Sequence, residues 1–169
     1  TTTDPHGIST WITNVSNQSF MLRTSDENLN SKDNITVNYI VMERGSWTLP
    51  NTSITIEADS LNTDKVGTQG GNFDCPTYGD TISFSNPFSS NPLVLSVRGS
   101  NTNPNAWATT FQNDPGDRTQ PVPTNQMCIG LSQSKATSPG TISSEETIYW
   151  IAMDEGSGTT GGVEFEILW

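Results

Sequence analysis

The stretch Asn38-Tyr-Ile-Val-Met-Glu-Arg-Gly-Ser-Trp47 returns later in the chain as Tyr149-Trp-Ile-Ala-Met-Asp-Glu-Gly-Ser-Gly158. The two copies share an aromatic residue, Ile, a small apolar residue, Met, an acid, one free position and Gly-Ser, at a constant offset of 149 − 38 = 111 residues. A match of this length is rarely accidental. Internal repeats fix the architecture of a chain, so this one is the starting point for the fold.

The flanks extend the match. Ser53-Ile-Thr-Ile-Glu-Ala58 follows the first copy much as Val163-Glu-Phe-Glu-Ile167 follows the second. The second copy is also preceded by an apolar stretch, residues 81–97, that has no counterpart before the first copy. The chain therefore divides into a half repeat at 1–61, a linker or surface loop at 62–80, and a full repeat at 81–169, which can also pack together as a single domain.

Strand patterns account for most of the apolar residues. Apolar and polar residues alternate at 11–15, 53–58, 81–84 and 163–167, as expected for half-buried antiparallel strands. Near-continuous apolar runs, which are typical of central strands, occur at 39–42, 93–97 and 149–153. No window favours an amphipathic helix. The sequence predicts an all-β protein folded as an antiparallel β-sandwich.

Composition agrees with an extracellular all-β chain. The 169 residues suit one domain or two small, closely packed ones. Only 31% are hydrophobic and 15% charged, and Ser, Thr, Asn, Gly and Pro make up most of the rest. Five Trp, three Tyr and six Phe provide surface that can be buried, which argues against disorder. We expect an extracellular or cell-surface location.

Charge and hydropathy exclude two kinds of partner. With a formal net charge of −11 and seven scattered basic residues, the chain has no patch that can neutralise several phosphates, so we expect no nucleic-acid partner. No apolar stretch approaches the roughly 18 residues that a membrane-spanning helix needs, so we expect no membrane insertion. The N-terminus has neither Met nor a signal peptide, which predicts a mature, processed or excised chain.

The two cysteines, Cys75 and Cys128, are too few for a metal site and lack Cys-x-x-Cys spacing. In a secreted protein they can form a disulfide that closes a loop of 128 − 75 = 53 residues. The alternative is two unpaired thiols, one of them buried.

Three segments of the second part of the chain together resemble a known family. They are the Ile-x-Phe-x-x-x-Phe-x-x-x-Pro-Leu-Val order at 82–94, Thr-Thr-Phe-Gln-Asn at 109–113 and Thr-Ile-Tyr-Trp-Ile-Ala-Met-Asp-Glu-Gly-Ser-Gly at 147–158. This order resembles the H-type lectin-like repeats of large bacterial surface proteins, and the first half of the chain resembles the latter part of such a repeat. The resemblance implies a six-stranded antiparallel sandwich that trimerises and binds N-acetylgalactosamine-type sugars near subunit boundaries.

The half repeat suggests a structural role. A sandwich half that lacks an edge strand leaves its neighbour with unpaired backbone groups, which a segment of another subunit can satisfy by strand addition. We therefore expect a structural or adhesive surface protein, a filament subunit that assembles by β-strand exchange. The donor is residues 1–8 or the C-terminal strand, whose contact residues would be Val163, Phe165, Ile167 and Trp169. The alternative is that both halves fold into one fused sandwich in which no edge strand is missing.

The alternative function is a carbohydrate-binding module that does not polymerise. Trp107 lies next to the turn-rich residues 99–105, and an indole face can pack on a sugar ring while loop amides bind its hydroxyls. The predicted sugar contacts are therefore Trp107, Asn103 and Asn105. Four Asn-x-Ser/Thr sequons mark possible glycosylation sites at Asn14, Asn17, Asn34 and Asn51.

Enzyme chemistry has little support. His6 is the only histidine, so a nucleophile–histidine arrangement lacks a well-placed base. The acidic pairs at 26–27, 145–146 and 154–155 are more typical of a solvated face than of a glycosidase site. The Asp- and Asn-rich turns at 26–30 and 113–117 offer oxygen ligands but no EF-hand spacing, so a metal stays undetermined. We expect no enzyme activity and no cofactor.

Overall fold

Twelve β-strands and no helix make up the described part of a computed structural model, which covers residues 8–26, 36–67, 74–133, 140–160 and 162–167. The all-β prediction is confirmed. The strands are β1 Ile8–Thr13, β2 Met21–Asp26, β3 Gly45–Thr48, β4 Thr55–Thr63, β5 Val66–Gly67, β6 Asp80–Ser83, β7 Leu93–Arg98, β8 Thr109–Asn113, β9 Gln126–Ser132, β10 Glu146–Met153, β11 Gly156–Thr160 and β12 Val163–Ile167.

The larger sheet has six strands in the order β2-β1-β7-β10-β4-β3. Both parts of the internal repeat contribute to it, because β4 of the first part pairs with β10 of the second from Thr63↔Glu146 to Ile56↔Met153. All its pairings are antiparallel except that of β1 with β7, which is parallel at Trp11↔Arg98. The long β4–β10 ladder joins the two predicted units within one sheet.

The smaller sheet is built around β9. Strand β8 lines one edge of β9, and β6 and the short β5 follow one another along the other edge. The β5–β9 pairing is parallel, so the prediction of a purely antiparallel fold is wrong at two places. The stretch 62–80, expected as a linker or surface loop, contains the end of β4, all of β5 and the first residue of β6.

The main core lies between these two sheets. Strand β10 illustrates the alternation: Ile148, Trp150 and Ala152 are buried, whereas Tyr149 and Ile151 point to the other face and are half-buried. The inward side chains meet those of β9 and of the loops that flank β6 and β9. The cluster comprises Phe84, Phe88, Val94, Ala108, Val122, Met127, Ile129, Leu131, Ile148, Trp150 and Ala152.

A second, smaller cluster covers one end of the outer face of the six-stranded sheet. Ile54, Ile56 and Met153 form its buried centre. Phe165 and Ile167 pack against it, so the hairpin β11–β12 is anchored to the sheet through β12. A two-stranded ribbon is marginally stable alone, and this packing supports it.

The internal repeat is visible as two matching hairpins. Gly45 opens β3 with φ of 144°, and Gly156 opens β11 with φ of 157°, at the offset 156 − 45 = 111. Such φ values favour glycine, which explains why both copies have Gly-Ser at this point. Each hairpin then pairs antiparallel, β3 with β4 and β11 with β12.

The stretch that precedes each hairpin differs between the copies. Residues 149–153 lie in the central strand β10, as predicted, but residues 39–42 are in no strand, so that prediction is wrong. The reason is competition for one edge. Strand β4 has β3 on one side and β10 on the other, which leaves no edge beside it for residues 39–42.

Cys75 and Cys128 form a disulfide with Cα atoms 5.8 Å apart. Cys128 is fully buried in β9, and Cys75 lies shortly before β6. The bond therefore attaches the segment that leads into β6 to the centre of the smaller sheet.

Candidate functional site

A groove with a volume of about 570 Å³ crosses the outer face of the six-stranded sheet. Its floor is formed by outward side chains of five neighbouring strands, and one wall is formed by residues 37–42, which precede β3. We call it the outer groove. Its lining includes Thr10, Ile12, Phe20, Leu22, Val37, Tyr39, Ile40, Val41, Met42, Arg44, Ala58, Asp59, Leu95, Val97, Tyr149 and Ile151.

The wall of the groove is residues 37–42, which we call the apolar segment. Tyr39, Ile40 and Val41 are 68%, 56% and 70% exposed. The segment is held at both ends. The Tyr39 ring makes an edge contact with Phe20 at a centroid distance of 5.3 Å, and Met42 packs against the second cluster.

The apolar segment pairs with no strand among the described residues. Its β-branched and aromatic side chains favour a strand, and its sequence repeats that of β10. Exposed apolar side chains on a stretch of backbone without ladder bonds form a ready template for pairing with another strand. Apolar patches of this kind often mark interaction sites.

The electrostatics of the outer groove differ from those of the whole chain. The protein has a net charge of −11, but among the residues that the structure describes, only Arg44 and Asp59 bring charges to the groove lining. These two neutralise each other through an ion pair with an Nε–Oδ1 distance of 2.5 Å. The groove is therefore an uncharged region where another anionic molecule can approach.

The predicted sugar-binding residues do not form an accessible site. Trp107 is 2% exposed, so no face of its indole is free for a sugar ring, and the stacking prediction disagrees with the structure. Asn103 is 6% exposed, whereas Asn105 is exposed. Trp107 is buried because it follows the tightly bound loop 99–105 and precedes β8.

Asn103 has a structural role in that loop. Its backbone N–H donates to Glu146 Oε1 at 2.7 Å, and its side-chain amide donates to the same oxygen at 2.8 Å. Its side-chain oxygen accepts hydrogen bonds from the backbone N–H groups of Ser143 and Ser144. These bonds leave Asn103 no free group to offer to a ligand.

Glu146 is the centre of a buried network that fixes the loop to the sheet. It is fully buried and accepts hydrogen bonds from Arg98, Ser100, Asn103 and the Thr102 backbone. Arg98 is 3% exposed and forms an ion pair with it. Burial alone would raise the pKa of Glu146, but hydrogen bonds from Arg98, Ser100 and Asn103 outweigh it and lower the pKa to about 2.

This lowered pKa predicts a specific acid sensitivity. The folded pKa of about 2 lies below the ordinary value of 4.5, so folding favours the ionised form. Its contribution of roughly 3 kcal/mol is complete above about pH 4.5 and is lost as the pH falls towards 2. Urea unfolding between pH 7 and pH 2 measures it. The Glu146→Gln variant should show a shallower loss of stability over this interval than the native chain, and equal slopes would contradict the assignment.

Two further buried carboxylates hold the loop between β6 and β7. Asp154 Oδ1 accepts hydrogen bonds from the Ser89 backbone and hydroxyl at 2.8 Å, and Asp154 Oδ2 accepts one from the Thr55 backbone. Glu57 accepts three from Ser85. The acidic pairs at 145–146 and 154–155 thus each contain one buried structural carboxylate, rather than lying entirely on a solvated face.

The residues predicted for subunit contact and for glycosylation lie in different parts of the fold. Phe165 and Ile167 are half-buried against their own chain, whereas Trp169 and the Val163 side chain lie outside the described residues. The predicted donor at 1–8 lies outside them as well, except for the Ile8 backbone. Three sequon residues are exposed, and Asn34 is outside the described ranges. The exposed ones are Asn14, Asn17 and Asn51.

Within the described ranges, no group of three or more His, Cys, Asp or Glu side chains is placed to hold a metal ion. Likewise, none of the chain that the structure describes forms a helix long and apolar enough to cross a membrane. No protein-family model, curated protein or solved structure matches this chain.

Proposed function

We propose that this protein is an extracellular structural or adhesive subunit that self-associates by strand addition at the apolar segment. The observation that carries the proposal is the exposure of Tyr39, Ile40 and Val41 on a segment that has the sequence of a central strand but no strand partner among the described residues. A second chain that covers these side chains removes apolar surface from water and supplies the backbone with hydrogen bonds.

The magnitudes favour association of modest strength. Full burial of one large apolar side chain is worth about 1.5–3 kcal/mol, and three such residues are more than half exposed. Two copies that each carry a charge of −11 repel one another, and salt screens that repulsion. Association through an uncharged groove should therefore be stronger at physiological ionic strength than in dilute buffer.

Two features support the location and the fold. The Cys75–Cys128 disulfide is typical of proteins that mature in oxidising compartments, which supports an extracellular site. The segments that resemble H-type lectin-like repeats contain β8, most of β10 and parts of β6, β7 and β11, which lie around the main core. This agreement supports a β-sandwich of that kind, with a partial first repeat and a full second one.

The test is a charge placed on the apolar segment. Val41→Asp should abolish self-association because it puts a carboxylate into the contact, and the fold should be retained since Val41 is 70% exposed. Met21→Asp is the matched control: Met21 is also an exposed apolar residue, 41% exposed, but it lies outside the outer groove. Light scattering and negative-stain electron microscopy report the assembly, and circular dichroism reports the fold.

The native chain and the Met21→Asp variant should form oligomers or filaments, and the Val41→Asp variant should remain a monomer. A native chain that stays monomeric at high concentration and physiological salt would refute the proposal. Carbohydrate binding remains a prediction, and titrating the same samples with glycans while following Trp fluorescence measures it independently.

A further inference from the structure

The paired strands of the two hairpins correspond in register, although the loop of the first hairpin is longer. In the first, Gly45 pairs with Ala58 and Trp47 with Ile56; in the second, Gly156 pairs with Ile167 and Gly158 with Phe165. Since the offset of 111 relates Gly45 to Gly156, position 58 of β4 corresponds to position 167 of β12. Position 56 corresponds in the same way to position 165.

The hairpins differ in what lies beside them. The outer edge of β4 is filled by β10, with Ile151 opposite Ala58 and Met153 opposite Ile56. The equivalent outer edge of β12 is paired with nothing in the described part of the chain, because β11 and β12 form a sheet of only two strands. One hairpin therefore has its third strand and the other lacks it.

The sequence of the missing third strand is present in the apolar segment. Ile151 and Met153 of β10 correspond, 111 residues earlier, to Ile40 and Met42. Among the described residues this copy is in no strand ladder, and Ile40 is 56% exposed. The two complementary elements do not pair with each other in this part of the chain, so their backbone groups are available to another molecule.

We propose that the β12 edge of one copy pairs antiparallel with the apolar segment of a second copy, in the register that β4 and β10 already show. This inference rests on the proposed self-association and specifies its contact. The register places Ile40 opposite the partner's Ile167, Val41 opposite the partner's Glu166, and Met42 opposite the partner's Phe165.

The apolar face favours this register, and the opposite face carries a like-charge pair. On one face, Ile40 and Met42 meet the half-buried apolar side chains of β12. On the other face, the exposed Glu164 of β12 comes opposite Glu43, and like charges at directly opposed positions are unfavourable. Salt screens this repulsion, so the contact should strengthen as ionic strength rises.

The contact is heterologous, because each copy contributes its β12 edge to one neighbour and its apolar segment to another. A heterologous contact does not have to close on itself and can continue from copy to copy as an open filament. The same contact can instead close into a ring. Either product differs from the two-fold dimer that would result if two apolar segments paired with each other.

Cysteine cross-linking between two single variants tests the register. One variant carries Ile40→Cys and the other Ile167→Cys; the native disulfide is retained, and mixing separate chains prevents cross-links within a molecule. The mixture should give a disulfide-linked dimer under mild oxidation, because opposed positions have Cβ atoms about 5 Å apart. Ile40→Cys mixed with Glu166→Cys is the control, since these side chains would face opposite sides and should give no dimer.

A second in-register pair, Val41→Cys with Glu166→Cys, keeps the test valid if the loss of Ile40 weakens docking. A cross-link from either in-register pair, without one from the control pair, supports the inference. Native self-association by light scattering without these cross-links, or with a dimer from Ile40→Cys alone, would overturn the register while leaving the proposed function intact. Absence of self-association in the native chain would remove both.

Discussion

Replacing Glu146 with alanine is expected to destabilise the fold by about 3–5 kcal/mol, or to prevent folding altogether. Glu146 is fully buried and is the ion-pair partner of Arg98, which is itself 3% exposed. Removal of the carboxylate leaves a buried guanidinium without its counter-charge. It also leaves the backbone N–H groups of Thr102 and Asn103 without their acceptor. Most domains have only 5–15 kcal/mol of stability in total, so this loss is decisive.

The neighbouring acid provides the control. Glu145 is exposed, and Glu145→Ala removes the same charge from the same strand boundary without touching Arg98. Thermal and urea unfolding should place Glu145→Ala close to the native chain and Glu146→Ala far below it. Equal effects would mean that the network contributes only through total charge. Glu146→Gln should fall between the two, since an amide can accept some of the hydrogen bonds but cannot balance Arg98.

Sequence patterns predicted the features that depend only on residues near one another in the chain. The near-continuous apolar run at 149–153 predicted a central strand, and Tyr149 and Trp150 lie on opposite faces of that strand because side-chain direction depends on residue parity. The repeated Gly-Ser lies at the start of both hairpins, where Gly45 and Gly156 have positive φ. Local rules of this kind can be derived from the chain alone.

The prediction for residues 39–42 was wrong for a reason that no local rule contains. The two copies have nearly the same sequence, but only one can occupy the edge of β4, and β10 occupies it. The copy that lost this competition became the exposed wall of the outer groove. The candidate site thus arises because two segments of similar sequence favour a strand and only one of them occupies the edge of β4. Pattern analysis does not distinguish the two segments.

Trp107 and Asn103, two of the predicted sugar contacts, are buried for a related reason. A loop rich in Asn, Ser and Pro beside a tryptophan is typical of a binding surface, but here a single buried carboxylate accepts hydrogen bonds from three residues of that loop, Ser100, Thr102 and Asn103. Glu146 is 43 positions away from Asn103, and nothing near either residue indicates the contact. Buried polar networks formed by distant segments are among the features that sequence spacing does not reveal.

Removal of the disulfide, by replacing Cys75 and Cys128 together with alanine, is expected to lower the free energy of unfolding by about 4 kcal/mol. The two residues are 53 positions apart, and a cross-link over such a loop reduces the freedom of the unfolded chain far more than that of the folded one.

Urea unfolding of the oxidised chain, the reduced chain and the double variant separates this effect from packing. Cys128 is fully buried in β9, so the double variant also loses contacts there, whereas reduction keeps both sulfur atoms. Reduction should therefore account for most of the loss. If the reduced chain were as stable as the oxidised one, the smaller sheet would be held by β8 and β6 without covalent help, and an oxidising location would no longer be needed for the fold.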